Sequence, residues 1–203
     1  LALAGGDWMP LHRLVMPVVP ALLLAGAELA TSASPRWHVA RATAAAALCI
    51  GVAALQTWPA RGVLADRLEL VERLRAPLRT ARVTATVDAG FVGAATDGGV
   101  FDLAGVTEPI VARLGGGHTS KRVPEGLLES RGVDHAVLAL APGTRVAEPW
   151  QASRFFHAVG ARLAGMPLFE SFELVAEVPL GRTAYRYVVV RKSTAVSGQT
   201  RQK

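Results

Sequence analysis

Three acidic side chains, Asp88, Asp102 and Glu108, fall at predicted strand ends or in tight turns. In open α/β sheets the carboxyl ends of the strands are where ligands usually bind, so these carboxylates are candidate ligand contacts. The alternative is structural, because an Asp before Ala-Gly caps a helix and an Asp in a turn anchors the neighbouring backbone. For Asp88 the residue types favour the structural interpretation, and both remain open.

A glycine-rich stretch, Gly115 to Lys121, could hold an anion with its backbone amides, assisted by His118 and Lys121. It has neither the GxxxxGK(S/T) spacing of a P-loop nor the GxGxxG fingerprint of dinucleotide-binding folds. A mobile surface loop is an equally good interpretation of these residues.

A third group, Gly5-Gly6-Asp7-Trp8-Met9-Pro10, lies near the start of the chain. Asp7 could contact a metal ion or sugar hydroxyls, and Trp8 could stack on a sugar face or lie among lipid headgroups. The alternative is a turn with an interfacial Trp before a helix, which the residue types alone favour.

Several other kinds of site are excluded by the sequence. It contains no serine elbow, HExxH or CxxC motif, and its five histidines show no metal-ligand spacing. The single cysteine, Cys49, can form no internal disulfide. Lys and Arg number 22 against 16 Asp and Glu, but no stripe of basic and aromatic residues is present, so nucleic-acid binding is not expected.

Residues 1–60 are predicted to hold two transmembrane helices, at about 11–30 and 40–58. Each apolar run approaches the roughly 20 residues that cross a hydrocarbon core of about 30 Å. Trp37 and Trp58 bracket the second run, as aromatic residues do at the two membrane interfaces. Positive charge between the runs indicates a cytoplasmic loop, which places the rest of the chain outside. The alternative is a pair of buried helices in a large water-soluble core.

Residues 61–79 show helical periodicity and predict a connector helix that docks on the following domain. Residues 80–192 predict a small extracytoplasmic α/β domain with a mostly parallel sheet. Two β runs, Glu173–Pro179 and Ala184–Arg191, predict a hairpin at one edge of the sheet. Residues 193–203 are predicted to form a disordered tail. The predicted fold class is therefore two transmembrane α-helices followed by a small α/β domain.

Two stretches of this sequence resemble one family, the bacterial GT-C-type membrane glycosyltransferases. GGDWMP running into LVMPVVPALLL resembles the segment that opens a late membrane helix in enzymes similar to the arabinofuranosyltransferases, which use polyprenyl-phosphate sugar donors. DAGFVGAATDGGVFDLAGVTEPIVAR, then GGGHTSKRVPEGLLESRGVDHAVL, resembles the extracytoplasmic domain of the same group. The matching residues are Asp7, Met9, Pro10, Arg13, Asp88, Gly90, Asp102, Gly105, Thr107, His118 and Lys121. The departures are Ala94-Ala95 where Tyr is usual, Val106 for Leu and Glu108 for Asp.

The resemblance implies transfer of a sugar from a lipid-phosphate donor to a cell-envelope glycan or lipid, on the outer face of the bacterial inner (plasma) membrane. The implied partners are membrane lipid, a polyprenyl-phosphate-linked sugar and a cell-envelope acceptor. A divalent metal ion often lies near the catalytic acid in such enzymes, and no nucleotide cofactor is implied. The substrate-binding residues would be Asp7, Asp88, Asp102, His118 and Lys121, with Asp7 also a candidate metal contact, and Trp8 is added to them on its residue type alone.

The catalytic base in such enzymes lies in the first outer loop, which would precede Leu1. We therefore expect this chain to be the C-terminal part of a longer enzyme and to be inactive alone. A different class remains open, a non-catalytic membrane-anchored extracytoplasmic binding or assembly domain.

Overall fold

The computed structural model describes Leu24 and residues 26–28, 37–182 and 184–193 and, outside positions 38, 48 and 52–60, their side chains. The chain divides into two compact units, residues 1–64 and 65–203. The helices are α1 (His38–Arg75), α2 (Ala89–Gly93), α3 (Pro109–Ala112), α4 (Glu125–Ser130), a 3₁₀ turn (Trp150–Ala152), α5 (Ala158–Ala164) and α6 (Pro167–Glu170). The strands are β1 (Val83–Thr86), β2 (Gly99–Asp102), β3 (His135–Leu140), β4 (Phe172–Pro179) and β5 (Arg186–Lys192).

The prediction of two transmembrane helices is wrong, since no helix in the described part of the chain is both long and apolar enough to cross a membrane. The second predicted span, 40–58, lies inside α1, which continues to Arg75. Its apolar run at 42–58 consists of alanine at seven of seventeen positions, and alanine adds little hydrophobic surface. Most of the first predicted span, 11–30, lies outside the described residues, as does nearly all of the predicted tail.

The sheet of the second unit is mixed rather than mostly parallel. Its five strands follow the order β2-β1-β3-β5-β4. Strand β1 runs parallel to both β2 and β3, whereas β5 runs antiparallel to β3 and to β4. The antiparallel pair of β4 and β5 occupies one edge, and β5 reaches far enough into the sheet to pair with β3 along that strand's whole length.

Both faces of the sheet are covered, because side chains alternate between the faces along each strand. All six residues of β3 are buried, as expected for a central strand with an uninterrupted apolar sequence. On one face Ala136 and Leu138 belong to a core that includes Leu128 of α4 and Leu163 of α5. On the other face Val137 belongs to a second core, formed with side chains from α1 and α2.

The last turns of α1 form an integral part of this second core. Leu70, Leu74 and Leu78 are at most 1% exposed. They share the core with Val189 of β5 and with Val92 of α2. The residues predicted to form a docking connector therefore supply, together with α2, the cover for one face of the sheet.

Asp134 joins the amino ends of β1 and β3. Its carboxylate accepts hydrogen bonds from the backbone amides of Arg82 and Val83, at 3.1 Å each for Oδ1, and from the Arg82 side chain. Its Oδ1 also lies 3.0 Å from Nδ1 of His135. Burial alone would raise the pKa of Asp134, but the hydrogen bonds from His135, Val83 and Arg82 outweigh it and lower the pKa. The carboxylate therefore stays charged and holds the two strands in register.

A fragment of residues 65–193 should unfold in a single cooperative transition, whereas a fragment of residues 80–193 should not. The shorter fragment lacks three buried leucines, worth about 1.5–3 kcal/mol each, and a small domain has only about 5–15 kcal/mol in total. Circular dichroism melts of the two fragments, read beside the full chain, test this. A cooperative melt of residues 80–193 at the temperature of the longer fragment would contradict it.

Candidate functional site

A crevice opens at the carboxyl ends of β1 and β3. Strand β2 pairs with one side of β1, and β3, which follows β2 along the chain, pairs with the other side. Open α/β sheets bind ligands at such a reversal of strand order. The crevice is small, with a volume of about 10 Å³, which is roughly the room for one water molecule. Its lining consists of Thr86, Val87, Asp88, Val137, Leu138, Ala139, His157 and Gly160.

Asp88 follows the end of β1 and supplies the carboxylate of this crevice. Its Oδ2 accepts a hydrogen bond from the Tyr187 hydroxyl at 2.8 Å and lies 3.3 Å from Nη1 of Arg67. Arg67 also donates a hydrogen bond to the Tyr187 hydroxyl. Within the described part of the chain, Oδ1 of Asp88 has no hydrogen-bond partner. The carboxylate is thus fixed through one oxygen, and the side chain as a whole remains 20% exposed.

Arg67 is held by two aromatic rings as well as by these polar contacts. Its guanidinium lies 5.2 Å from the ring centroid of Phe91 and 5.6 Å from that of Tyr187, within the range of cation–π attraction. Burial lowers the pKa of Arg67, but Tyr187 and Asp88 raise it by more, so the guanidinium stays charged. Burial, reinforced by Asp88, raises the pKa of Tyr187, so its hydroxyl keeps its proton and donates to Asp88.

His157 lies directly before α5 and faces the same crevice. Its ring is 4.7 Å from that of Phe156, which in turn makes an edge contact with Tyr185 at 5.3 Å. Burial lowers the pKa of His157, and Arg67 and His118 lower it further, although Asp88 acts in the opposite direction. At neutral pH the imidazole is therefore uncharged and can both accept and donate a hydrogen bond.

Asp102 and Glu108, the other predicted acidic candidates, make contacts within the protein. Oδ1 of Asp102 accepts from the Ala104 amide at 2.8 Å, and Oδ2 accepts from the amide and hydroxyl of Thr107 at 2.7 and 3.1 Å. Glu108 forms an ion pair with Arg131 at 2.9 Å. These bonds shape the turn after β2.

The same turn depends on Gly105, which has a positive φ of 76°. A Cβ on this residue would lie 2.6 Å from the backbone nitrogen of Ala112. Glycine is therefore the residue that lets the turn pack this closely against α3.

Lys121 and its glycine-rich loop are also tied to neighbouring backbone. Nζ of Lys121 donates to the carbonyls of Ala112 and Leu114, at 2.8 and 3.0 Å, after α3. The Gly117 amide donates to the Ser120 hydroxyl, and the Thr119 carbonyl accepts from the Val159 amide of α5. The loop thus positions His118 close enough to His157 to affect the pKa of His157. The ammonium group of Lys121 caps the carbonyl end of α3.

Of the predicted site residues, Asp88 lies in the crevice and His118 lies near it, while Asp7 and Trp8 lie outside the described residues. Arg67, His157 and Tyr187 were not predicted. Arg67 could have been suggested by its being a cation in an otherwise apolar stripe of α1, and Tyr187 by its being a tyrosine in the apolar run of β5. No sequence signal marks His157. Among the described residues, no cluster of three His, Cys, Asp or Glu side chains could hold a metal ion.

Comparison of this chain with family models, with curated proteins and with solved structures found no match.

Replacing Asp102 by Asn should destabilise the protein by about 1–3 kcal/mol, because an amide group cannot accept all the hydrogen bonds that the buried carboxylate accepts. The matched control is Asp97→Asn, an exposed turn residue expected to change stability by less than about 0.5 kcal/mol. Urea unfolding of both variants measures the difference. Equal stabilities would show that Asp102 does not hold this turn.

Stability should fall as the pH drops below about 6.5, the ordinary pKa of histidine, and His157 should cause part of the fall. Because folding lowers the pKa of His157, the unfolded chain binds the proton more tightly, and acid favours unfolding. The contribution is fully present above pH 6.5 and is lost as the pH falls through the folded-state pKa. Thermal melts from pH 8 to pH 5 should therefore show a smaller decline for His157→Gln than for the wild type, and parallel curves would contradict the assignment.

Proposed function

We propose that this chain is part of a cell-envelope glycosyltransferase and that residues 65–193 bind a sugar at the crevice between β1 and β3. In this proposal the domain holds a sugar of the donor or acceptor while another part of the enzyme performs the transfer. The donor is a polyprenyl-phosphate-linked sugar and the acceptor a cell-envelope glycan or lipid, on the extracytoplasmic side.

The observation that carries the proposal is the geometry of Asp88. Its Oδ2 is engaged by Tyr187 and Arg67, so the carboxylate cannot turn freely, and its Oδ1 is left for a ligand. A fixed carboxylate oxygen accepts hydrogen bonds from sugar hydroxyls, and a charge-assisted bond of this kind is about twice as strong as a neutral one. His157, uncharged and on the same crevice, adds a second polar contact.

Aromatic rings near the crevice support a sugar rather than a small ion. Phe91 stacks with Arg67 and is 37% exposed, while Phe156 stacks with His157 and is 45% exposed. Exposed rings beside polar groups suit sugars, whose faces carry apolar C–H groups and whose edges carry hydroxyls. The crevice itself has room for about one water-sized group, so it would take a single sugar hydroxyl, while the exposed aromatic residues contact the rest of the sugar.

The glycosyltransferase assignment is supported by where the resembling segment lies. Asp88 and Gly90 begin that segment, and His118 lies near its middle. Asp88 lines the crevice and His118 lies near it, so the resemblance supports the proposal at these two positions, whereas Asp102, Thr107 and Lys121 make contacts within the protein.

Sugar binding can be tested by titrating the ¹⁵N-labelled full chain with methyl glycosides of neutral pentoses and hexoses and recording amide shifts by NMR. Shifts should concentrate at residues 86–90, 137–139 and 157–160. Asp88→Asn should weaken binding by about tenfold, the loss of one charge-assisted contact of about 1.5 kcal/mol, and Asp97→Asn should not weaken it.

Thermal melts of both variants provide the folding control. Shifts confined to distant surfaces, or equal affinities of Asp88→Asn and Asp97→Asn, would refute binding at this crevice.

A further inference from the structure

We infer that Arg67 is a specificity-determining residue, which makes the crevice select uncharged sugars over amino sugars and acidic sugars. This inference rests on the proposed sugar-binding function and goes beyond it by naming the charge class of the ligand.

The two ionic groups that pair at the crevice balance each other's charge. Asp88 supplies one negative charge and Arg67, 3.3 Å away, supplies one positive charge. His157 is uncharged at neutral pH. Lys121 is turned to the carbonyls of Ala112 and Leu114, so its ammonium does not serve the crevice. A ligand that contacts Oδ1 of Asp88 therefore meets a carboxylate whose charge is already compensated.

The charge of Asp88 stays compensated because the side chain of Arg67 is held in place. Two aromatic rings flank its guanidinium, and Tyr187 and Asp88 accept its hydrogen bonds. Its side chain is only 19% exposed, so water does not readily replace these contacts. A bound ammonium group would share Asp88 with a fixed cation well within the screening length of about 8–10 Å at physiological salt.

The consequence differs between ligand classes. A hydroxyl group can donate to Oδ1 of Asp88 without adding charge, so Arg67 does not oppose it. An ammonium group gains from Asp88 but is repelled by Arg67 and must also lose its own hydration, which is costly. A sugar carboxylate must also lose its hydration, and it finds no net charge to offset that loss, because Asp88 opposes the attraction of Arg67. The uncharged sugar is left as the favoured ligand.

The test compares matched sugars on the full chain by NMR titration at pH 7 and constant ionic strength. The probes are methyl α-D-glucopyranoside, its 2-amino-2-deoxy analogue and the N-acetyl form of that analogue, with methyl α-D-arabinofuranoside and its 5-amino-5-deoxy analogue as a second pair. The variants are Arg67→Gln, which removes the charge, and Arg67→Lys, which keeps it. The wild type should bind the uncharged member of each pair more tightly.

Arg67→Gln should shift the ratio of affinities toward the amino sugar by about tenfold or more, since Asp88 then attracts the ammonium unopposed. Arg67→Lys should keep the wild-type ratio even if overall affinity falls, and the N-acetyl form should behave as an uncharged sugar throughout. An unchanged ratio in Arg67→Gln, or the same change in Arg67→Lys, would overturn the inference and leave sugar binding intact. If no probe binds the wild type, sugar binding itself is refuted and the inference falls with it.

If Arg67→Gln does not fold, a second variant tests whether Arg67 determines the charge preference. In Asp88→Asn the charge of Arg67 is no longer balanced, so methyl α-D-glucuronide should gain on methyl α-D-glucopyranoside by about tenfold in relative affinity. No change in that ratio would show that Arg67 does not determine the charge preference.

Discussion

The three-way contact of Arg67, Asp88 and Tyr187 is the interaction on which the arrangement of this domain depends. It joins the C-terminal part of α1, the loop after β1 and the start of β5, segments separated by up to 120 residues along the chain. Tyr187 lies opposite Ala139 in the strand register, and the small alanine leaves room for the tyrosine to extend across β3 toward β1. The hydroxyl of Tyr187 thereby lies within hydrogen-bonding distance of Asp88. Tyr187 itself is only 1% exposed. A buried hydroxyl needs a partner, and the carboxylate with its compensating cation supplies one.

This contact also explains why α1 is more than a connector. The helix buries Leu70 and Leu74 against the sheet and, one turn earlier, places Arg67 beside Asp88. Apolar burial supplies the stabilisation, and the ion pair determines the position of the helix relative to the end of β1. An ion pair with both partners about four-fifths buried contributes less net stability than its distance suggests, because desolvation opposes it. Its main effect here is therefore on geometry.

Much of the second unit could be predicted from local patterns in the sequence. The strands lie within about two residues of the apolar β runs at 83–87, 100–103, 135–140 and 173–191. A run of β-branched residues between turn-forming residues predicts a strand from the local sequence alone. The sheet order could not be read in this way, since placing β5 beside β3 depends on contacts between distant segments. The prediction of transmembrane helices is wrong because the length of an apolar run does not measure its hydrophobic surface, and an alanine-rich helix provides little of it per residue.

The candidate site shows the same difference: some of its residues can be predicted from their neighbours in the sequence, and others are brought to the site only by the fold. Asp88 could be predicted because a carboxylate at a strand end is visible in the sequence, and so could the turn held by Asp102. The residues that adjust Asp88 come from outside the segment with the family resemblance: Arg67 precedes it, and His157 and Tyr187 follow it. In the proposed site the carboxylate at the strand end would contact the ligand, while segments distant in the sequence determine its charge balance. Asp88 alone therefore does not determine which ligand the crevice could take, because Arg67 of α1 balances the charge of its carboxylate and Tyr187 of β5 fixes its orientation.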